Sequence, residues 1–501
     1  MNGIWQLARQ SLMMDTRRFG SHAVRFGLAV VLYLAAARAS FLTLWSATGL
    51  ALFHSQLLLT AAYVSITAIF GFSQAISEEK EDETLGLMRL ADISPLSIIL
   101  GKMAGRLVDA ALLLAIQFPF TIIAITLGGV SWPQVLAAYS ALAAYLWLLA
   151  TLGIVASVLQ PTGTAAARWT AIVVGLYTLS PYVWMSAQAS WRFSHWDLTI
   201  RKVFDFICLP LRLTAVTQSS FNESPWCASV GVGLVAGTFF LLIAWWAFDR
   251  VAFDTAVIRS SQTDLSPQAD EFERPSRMTW SNPVIWREFT YLTGGKRGLR
   301  TRIISHSLIA FVMLIFQDTI GHVFAWASIF SGLLALVDGT WTASRLFRDE
   351  IRDRTWSSLV QTPHSIERLA YDKLCGWLLG MIPVIAFPYA YILITIIVHE
   401  HTRFDMAMEL LIGSATIGIS VFAYLHLLML MSLYFGWKAT PLTLTISFAT
   451  GWIYAVSIET APWTVVLRCT VFGLTSLVWL LVIAGLQFQI IRRLKELAET
   501  S

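Results

Sequence analysis

The chain has 501 residues, 56% hydrophobic and only 13% charged, with a formal net charge of +4 and a mean hydropathy of +0.65. Soluble domains carry roughly 25% charged residues, so this chain cannot clothe a globular surface, and its apolar excess must face lipid. The small net charge and the scatter of basic residues through loops exclude nucleic acid as a partner.

A spanning helix needs about 20 mostly apolar residues. Such runs lie near 26–47, 51–77, 103–130, 133–160, 168–187 and 226–248, then near 302–320, 322–345, 373–398, 407–436, 439–457 and 463–491. The sequence therefore predicts an all-α polytopic membrane protein of about twelve transmembrane helices. It divides into a first six-helix unit over 1–250, a polar linker and pre-helix over 251–300, and a second unit over 301–501. Ala37-Arg38-Ala39 mimics a signal cleavage site, but the apolar run continues past it, as in a signal anchor. Twenty-one Trp and thirteen Tyr suit the interfacial layers of a bilayer.

Arg9, Arg17, Arg18 and Arg25 precede the first run, Arg259 to Arg302 punctuate the linker, and Arg492, Arg493 and Lys495 follow the last run. The turns at 128–133 and 457–463 contain no Lys or Arg. This bias places both termini and the linker in the cytoplasm, in the inner (cell) membrane. The outer segment 188–225 is the exception, with Arg192, Arg201, Lys202 and Arg212 among Trp191, Trp196 and Phe204. It reads as short helices lying on the outer interface. Four cysteines are too few for a disulfide framework. Cys208 and Cys227 share the outer segment, and spacing alone leaves open whether they pair.

The halves resemble each other. Glu79, Asp82, Thr84 and Lys102 align without gaps on Glu350, Asp353, Thr355 and Lys373, all 271 residues on. Phe118-Pro119-Phe120 aligns on Phe387-Pro388-Tyr389 at 269, and Arg168 on Lys438 at 270. Ile4-Trp5 before Arg17-Arg18 is mirrored by Ile285-Trp286 before Lys296-Arg297. A near-constant offset over several motifs predicts a duplicated unit. Six helices being an even number, the two copies run parallel, related by an axis along the membrane normal.

Between the second and third helices of each half lies a charged segment. The first holds Glu78, Glu79, Glu81, Asp82, Glu83 and Thr84, then an apolar stretch with Leu85, Leu87, Met88 and Leu90, then Ser94-Pro95 and Lys102. The second holds Asp349, Glu350, Asp353 and Thr355, then Thr362-Pro363-His364-Ser365 and Lys373. Each reads as a bracket joined to two membrane helices with a charged cytosolic face. A solvated helix extension is the plain alternative for any one charge run, but recurrence with the same Thr-to-Lys spacing favours a docking surface.

This pattern of acids, Thr, an apolar stretch, Thr/Ser-Pro-x-Ser and Lys resembles the permeases of type-2 ATP-binding-cassette exporters. Asn282-Pro283-Val284-Ile285-Trp286-Arg287-Glu288 is similar to their cytoplasmic helix before the first span. The resemblance covers both halves. It implies that the brackets are coupling helices docking on separate ATPase subunits, a dimer that holds the ATP and Mg while this chain binds no cofactor. Carried over by position, it implicates Glu79, Asp82, Thr84, Lys102, Glu350, Asp353, Thr355, Pro363, Ser365 and Lys373. Three features depart from the family: Pro95 sits three residues late, Trp356 replaces Leu, and Asp372 replaces Gly before Lys373.

No nucleotide-binding loop is present, because Gly294-Gly295-Lys296 is followed by Arg297 and lacks the upstream glycine. The chain is thus expected to be a transport subunit and not an enzyme. The rival readings are a twelve-helix secondary transporter and a non-transporting assembly or sensor component. Arg38, Asp109, Asp338 and His426 are ionisable residues inside spans; Asp338 and His426 are the candidate pathway residues. Pro119 and Pro388 predict a shared bend. His399-Glu400-His401 lacks the spacing of a helix-borne metal site. The sequence does not reveal the exported substrate.

Overall fold

The computed structural model describes residues 19–42, 48–81, 84–161, 163–190, 197–219, 221, 223–264, 280–316, 320–352, 354–398, 404–435, 439–440, 442–444, 446–447 and 465–500. All regular structure among them is helical. Eight helices are long and apolar enough to cross a membrane: Thr48–Glu81, Pro95–Thr126, Trp132–Leu159, Ala228–Phe248, Val323–Arg352, Ile366–Val398, Leu410–Phe435 and Thr470–Glu499. The protein is a multi-pass membrane protein by this composition, and each of the eight falls on a run expected from the sequence.

Twelve spans were expected, and the other four runs lie partly outside the described residues. The run at 26–47 lies in a helix, Phe19–Leu42, whose described apolar stretch is only Arg25–Leu34. The runs at 168–187 and 302–320 lie in the helices Gly163–Ser190 and Gly295–Phe316. Each of these two helices includes residues whose side chains lie outside those described, and by the described residues neither is among the eight. The run at 439–457 lies largely outside the described residues.

The chain forms two compact units. The first contains α1 (Phe19–Leu42), α2 (Thr48–Phe70), the short α3 (Ser77–Glu81) and α4 (Thr84–Leu90), then α5 (Pro95–Ile116), α6 (Phe118–Thr126), α7 (Trp132–Leu159), α8 (Gly163–Ser190) as far as Val183, α9 (Asp197–Ile207), α10 (Leu209–Val216) and α11 (Ala228–Asp264). Its core runs along α7, where Ala137, Ala138, Ala141, Ala144 and Ala150 are buried. Small side chains let helix backbones approach closely, the packing that replaces hydrophobic driving force in lipid. Pro133 and a capping interaction, Ser131 N–H to Gln134 Oε1 at 2.8 Å, start α7.

Pro119 has no N–H to donate, and the helix breaks at Gln117 between α5 and α6. Buried Gln56 of α2 covers the break, donating to the Gln117 carbonyl at 2.8 Å and to Thr121 Oγ1 at 2.7 Å. In the second unit α17 runs unbroken through both Pro383 and Pro388. The bend expected to be mirrored is a true helix break only where a side-chain amide supports it.

Among the described residues the segment 188–225 holds the end of α8 and two short helices, α9 and α10, divided at Cys208. Tyr177 Oη bridges them, donating to the Ile207 carbonyl at 3.0 Å and accepting from Leu209 N–H at 2.9 Å. Arg212 is buried, pairs with Glu223, donates to the Ser224 carbonyl at 2.9 Å and lies over the Phe221 ring. Cys208 and Cys227 are free thiols, and burial pushes the Cys208 thiol up to about 11.

The second unit contains α12 (Pro283–Arg287) with a π-helical turn over Glu288–Leu292, then α13 (Gly295–Phe316), α14 (Ile320–Arg345), α15 (Arg348–Arg352), α16 (Trp356–Val360), α17 (Ile366–Val398), α18 (Phe404–Phe435) and α19 (Val465–Thr500). Asn282 caps α12, its side-chain oxygen accepting from Val284 N–H at 3.0 Å. The pre-helix beds into a notch on α17. A Cβ on Gly376 would lie 2.6 Å from the Ile285 carbonyl oxygen, and one on Gly380 would overlap the Thr293 side chain. Only glycine permits this approach.

Candidate functional site

The charged segments form an elbow in each unit. In the first, α2 ends in a 3-10 turn at Phe72–Gln74, and α3 and α4 follow. Asp92, with φ of 56°, ends α4 in the left-handed region that Asp tolerates. Ser94 then caps α5, with Pro95 at its first position.

Every described acid on α3 is engaged within the unit. Glu79 accepts from the Thr84 hydroxyl and from Lys102 Nζ of α5. Glu78 accepts from Arg106 at 3.1 Å, and Arg106 also donates to the Gly71 carbonyl. Glu81 accepts from Gly163 N–H at 2.8 Å, a carboxylate at the positive end of α8. Lys80 does the converse, donating to the Ser157, Val158 and Gln160 carbonyls at the negative end of α7. Ser157 Oγ accepts from the backbone N–H groups of Ile76 and Ser77 at 2.8 and 2.9 Å. The elbow is thus tied to α5, α7 and α8, and the bonds that involve Lys80, Lys102, Arg106 and the glutamates are charge-assisted, the stronger kind.

The second elbow repeats the arrangement. Glu350 accepts from the Thr355 hydroxyl and, at 3.1 Å, from Lys373 Nζ of α17. The three residues lie 271 positions after Glu79, Thr84 and Lys102. Ser365, at the same offset from Ser94, accepts from Arg368 N–H at 3.3 Å and caps α17. Trp377, in register with Arg106, donates to Thr342 Oγ1 at 2.8 Å, in register with Gly71. Asp349 pairs with Arg345 at 3.6 Å, one turn back. Pro363 is exposed in the turn before Ser365.

The elbows differ in burial. The Lys373 and Glu350 side chains are 2% and 6% exposed, whereas those of Lys102 and Glu79 keep 24% and 17%. The difference comes from the pre-helix: Glu288 accepts from Lys373 Nζ at 2.5 Å, and Arg287 reaches Glu350 at 2.7 Å. Burial lifts the Glu288 carboxyl above the ordinary range, against the pull of Lys373. Sequence reasoning quoted Glu288 within a motif but did not pair it with Lys373.

The elbow tips also differ. On α4, Leu85 is buried while Leu87 and Leu90 are 65% and 85% exposed. The second tip exposes Arg352, Arg354, Ser358 and Gln361. Asp82, Glu83 and Asp353 lie outside the described residues.

Asp338 on α14 accepts from Arg302 Nε at 2.6 Å, and Arg302 also donates to the Thr293 carbonyl at 2.6 Å. His426 is buried on α18, Nδ1 3.0 Å from the Phe422 carbonyl and edge-on to the Phe422 ring. Asp109 pairs with Arg25. Among the described residues no group of three His, Cys, Asp or Glu side chains could hold a metal ion. His399-Glu400-His401 lies outside them.

No family model matches this chain, and no curated protein matches it.

Proposed function

We propose that this chain is the membrane-spanning permease of an ATP-driven exporter in the inner membrane, energised by a separate ATPase dimer that docks on the two elbows. In this reading the chain fuses two parallel six-helix halves, and ATP and Mg belong to the partner. The observation that carries it is the recurrence of one clasp, Glu79–Thr84–Lys102 and Glu350–Thr355–Lys373, at one offset and in the same connection between two membrane helices. A clasp of this kind makes the elbow rigid, so that a push on it moves both attached helices together. A merely solvated extension has no use for a carboxylate held by both a hydroxyl and a lysine of the following helix.

Glu78, Glu79 and Glu81 are spent on holding the first elbow, so in this reading the docking surface is its tip. Leu87 and Leu90 are the apolar anchors there, and Arg352 and Arg354 supply the polar counterpart on the second elbow. Large apolar side chains exposed together off the spans mark an interaction surface.

The test is purification of the tagged full-length chain from membranes of its native host, with ATP hydrolysis assayed in the eluate. Vanadate-sensitive hydrolysis is expected with the wild type and is lost in Leu87→Glu/Leu90→Glu, which remains in the membrane fraction. Absence of any co-purifying ATPase, or proton-coupled transport by the chain alone, would overturn the reading.

A further inference from the structure

α13 carries two faces that the helical period keeps apart. Arg302, His306 and Met313 are buried, while Ile303, Ile304, Leu308, Phe311 and Leu314 are exposed. At about 100° per residue, Arg297 and Arg300 fall within roughly 40° of Ile304, and Lys296 within roughly 80°. The three basic residues therefore continue the exposed apolar stripe toward the helix start. All three are exposed, and none has an ion-pair partner among the described residues.

The rise along the helix sets their depth. Arg300 lies about 6 Å and Arg297 about 10 Å beyond Ile304, the thickness of a headgroup layer flanking a hydrocarbon core about 30 Å thick. Tyr291, 73% exposed on the adjoining π-turn, adds an interfacial aromatic. Arg302 shows the alternative fate of a cation on this helix: it faces inward and is consumed by Asp338 and Thr293. Among the described residues Lys296, Arg297 and Arg300 have no such inward partner.

We propose that Lys296, Arg297 and Arg300 form a binding surface for the phosphate groups of anionic phospholipids, in the leaflet where α13 begins. Charge complementarity selects the occupant, and continuity with the stripe from Ile303 to Leu314 places its acyl chains. Each basic side chain beside an anionic surface is worth about fivefold in binding, and the attraction is screened over about 10 Å at 0.1 M salt. The proposal goes beyond the docking of an ATPase and rests only on the membrane character of the chain.

The experiment is native mass spectrometry of the full-length protein in mild detergent, titrated with phosphatidylglycerol or phosphatidylcholine. Lys296→Gln/Arg297→Gln/Arg300→Gln is expected to lower phosphatidylglycerol affinity at least ~10-fold and to leave phosphatidylcholine binding unchanged. Arg297→Lys/Arg300→Lys should bind as the wild type does, and Arg492→Gln/Lys495→Gln, at the far end of α19, should change affinity less than ~2-fold. Undiminished phosphatidylglycerol binding by the triple variant overturns the proposal. So does full displacement by inorganic phosphate, which would mark a free-anion site, and so does loss of a co-purifying ATPase with lipid binding intact, which would assign the cluster to a protein partner. Failure of the membrane reading itself would be seen separately, as a chain absent from the membrane fraction.

Discussion

Lys373 Nζ lies 2.5 Å from Glu288 Oε1, across 85 residues of sequence and with both side chains buried. The same ammonium reaches Glu350 at 3.1 Å, so one lysine joins the pre-helix to the second elbow. Removing one partner from a buried pair costs about 3–5 kcal/mol when the remaining charge is left uncompensated, and here each carboxylate backs up the other. Glu288→Gln and Glu350→Gln should each be mild, while the double variant should lose more than the sum of the singles. SDS-titrated unfolding of the four proteins measures the coupling, and strict additivity would contradict the shared-lysine arrangement.

The two lysines of the clasps should not be equivalent. Lys373→Met takes from buried Glu288 its close counter-ion and leaves Glu350 to Arg287 and Thr355, and it is expected to cost about 3 kcal/mol, the lower end for a broken buried pair. Lys102→Met acts on a partly exposed pair and should cost about 1 kcal/mol or less. The same unfolding assay ranks them, and an equal effect would mean that burial is not what distinguishes the elbows.

Gly380 is predicted to be intolerant of enlargement. A Cβ there overlaps Thr293, so Gly380→Leu should displace the pre-helix from α17 and cost at least 2–3 kcal/mol, roughly the upper range of overpacking. Gly332, whose Cβ would meet nothing within 4 Å, is the control, and Gly332→Ala should leave stability within about 0.5 kcal/mol.

The hydroxyls of Thr84 and Thr355 each bond a carboxylate. Thr84→Val and Thr355→Val should each lose about 1.5–3 kcal/mol, the range for hydrogen bonds to charged groups, and the Ser variants should recover most of it. If Val and Ser variants behave alike, the hydroxyl is not the stabilising group.

Much of the architecture was legible because lipid demands long apolar runs, and runs such as that at 133–160 admit only one reading. The register of the clasps was legible too, since Glu79, Thr84 and Lys102 recur in step with Glu350, Thr355 and Lys373. What each charge touches was not. A run such as Glu78-Glu79-Lys80-Glu81 looks solvated on paper, because its partners Arg106, Lys102, Gly163 and the end of α7 come from 23 to 82 residues away. Leu85, Leu87, Met88 and Leu90 read as one apolar side, yet the short helix buries Leu85 and turns Leu87 and Leu90 outward. Seven residues make too few turns for a period to be resolved from sequence.

α19 ties the second elbow to a helix made long after it. Ile490 and Leu494 of α19 are wholly buried among Phe347, Trp356 and Ala370. Ile490 lies 120 positions after Ala370, so α15, α16 and α17 are made long before the helix that lines them. The second elbow stays unsealed through that interval, its apolar lining open to chaperones or to mispairing until α19 arrives.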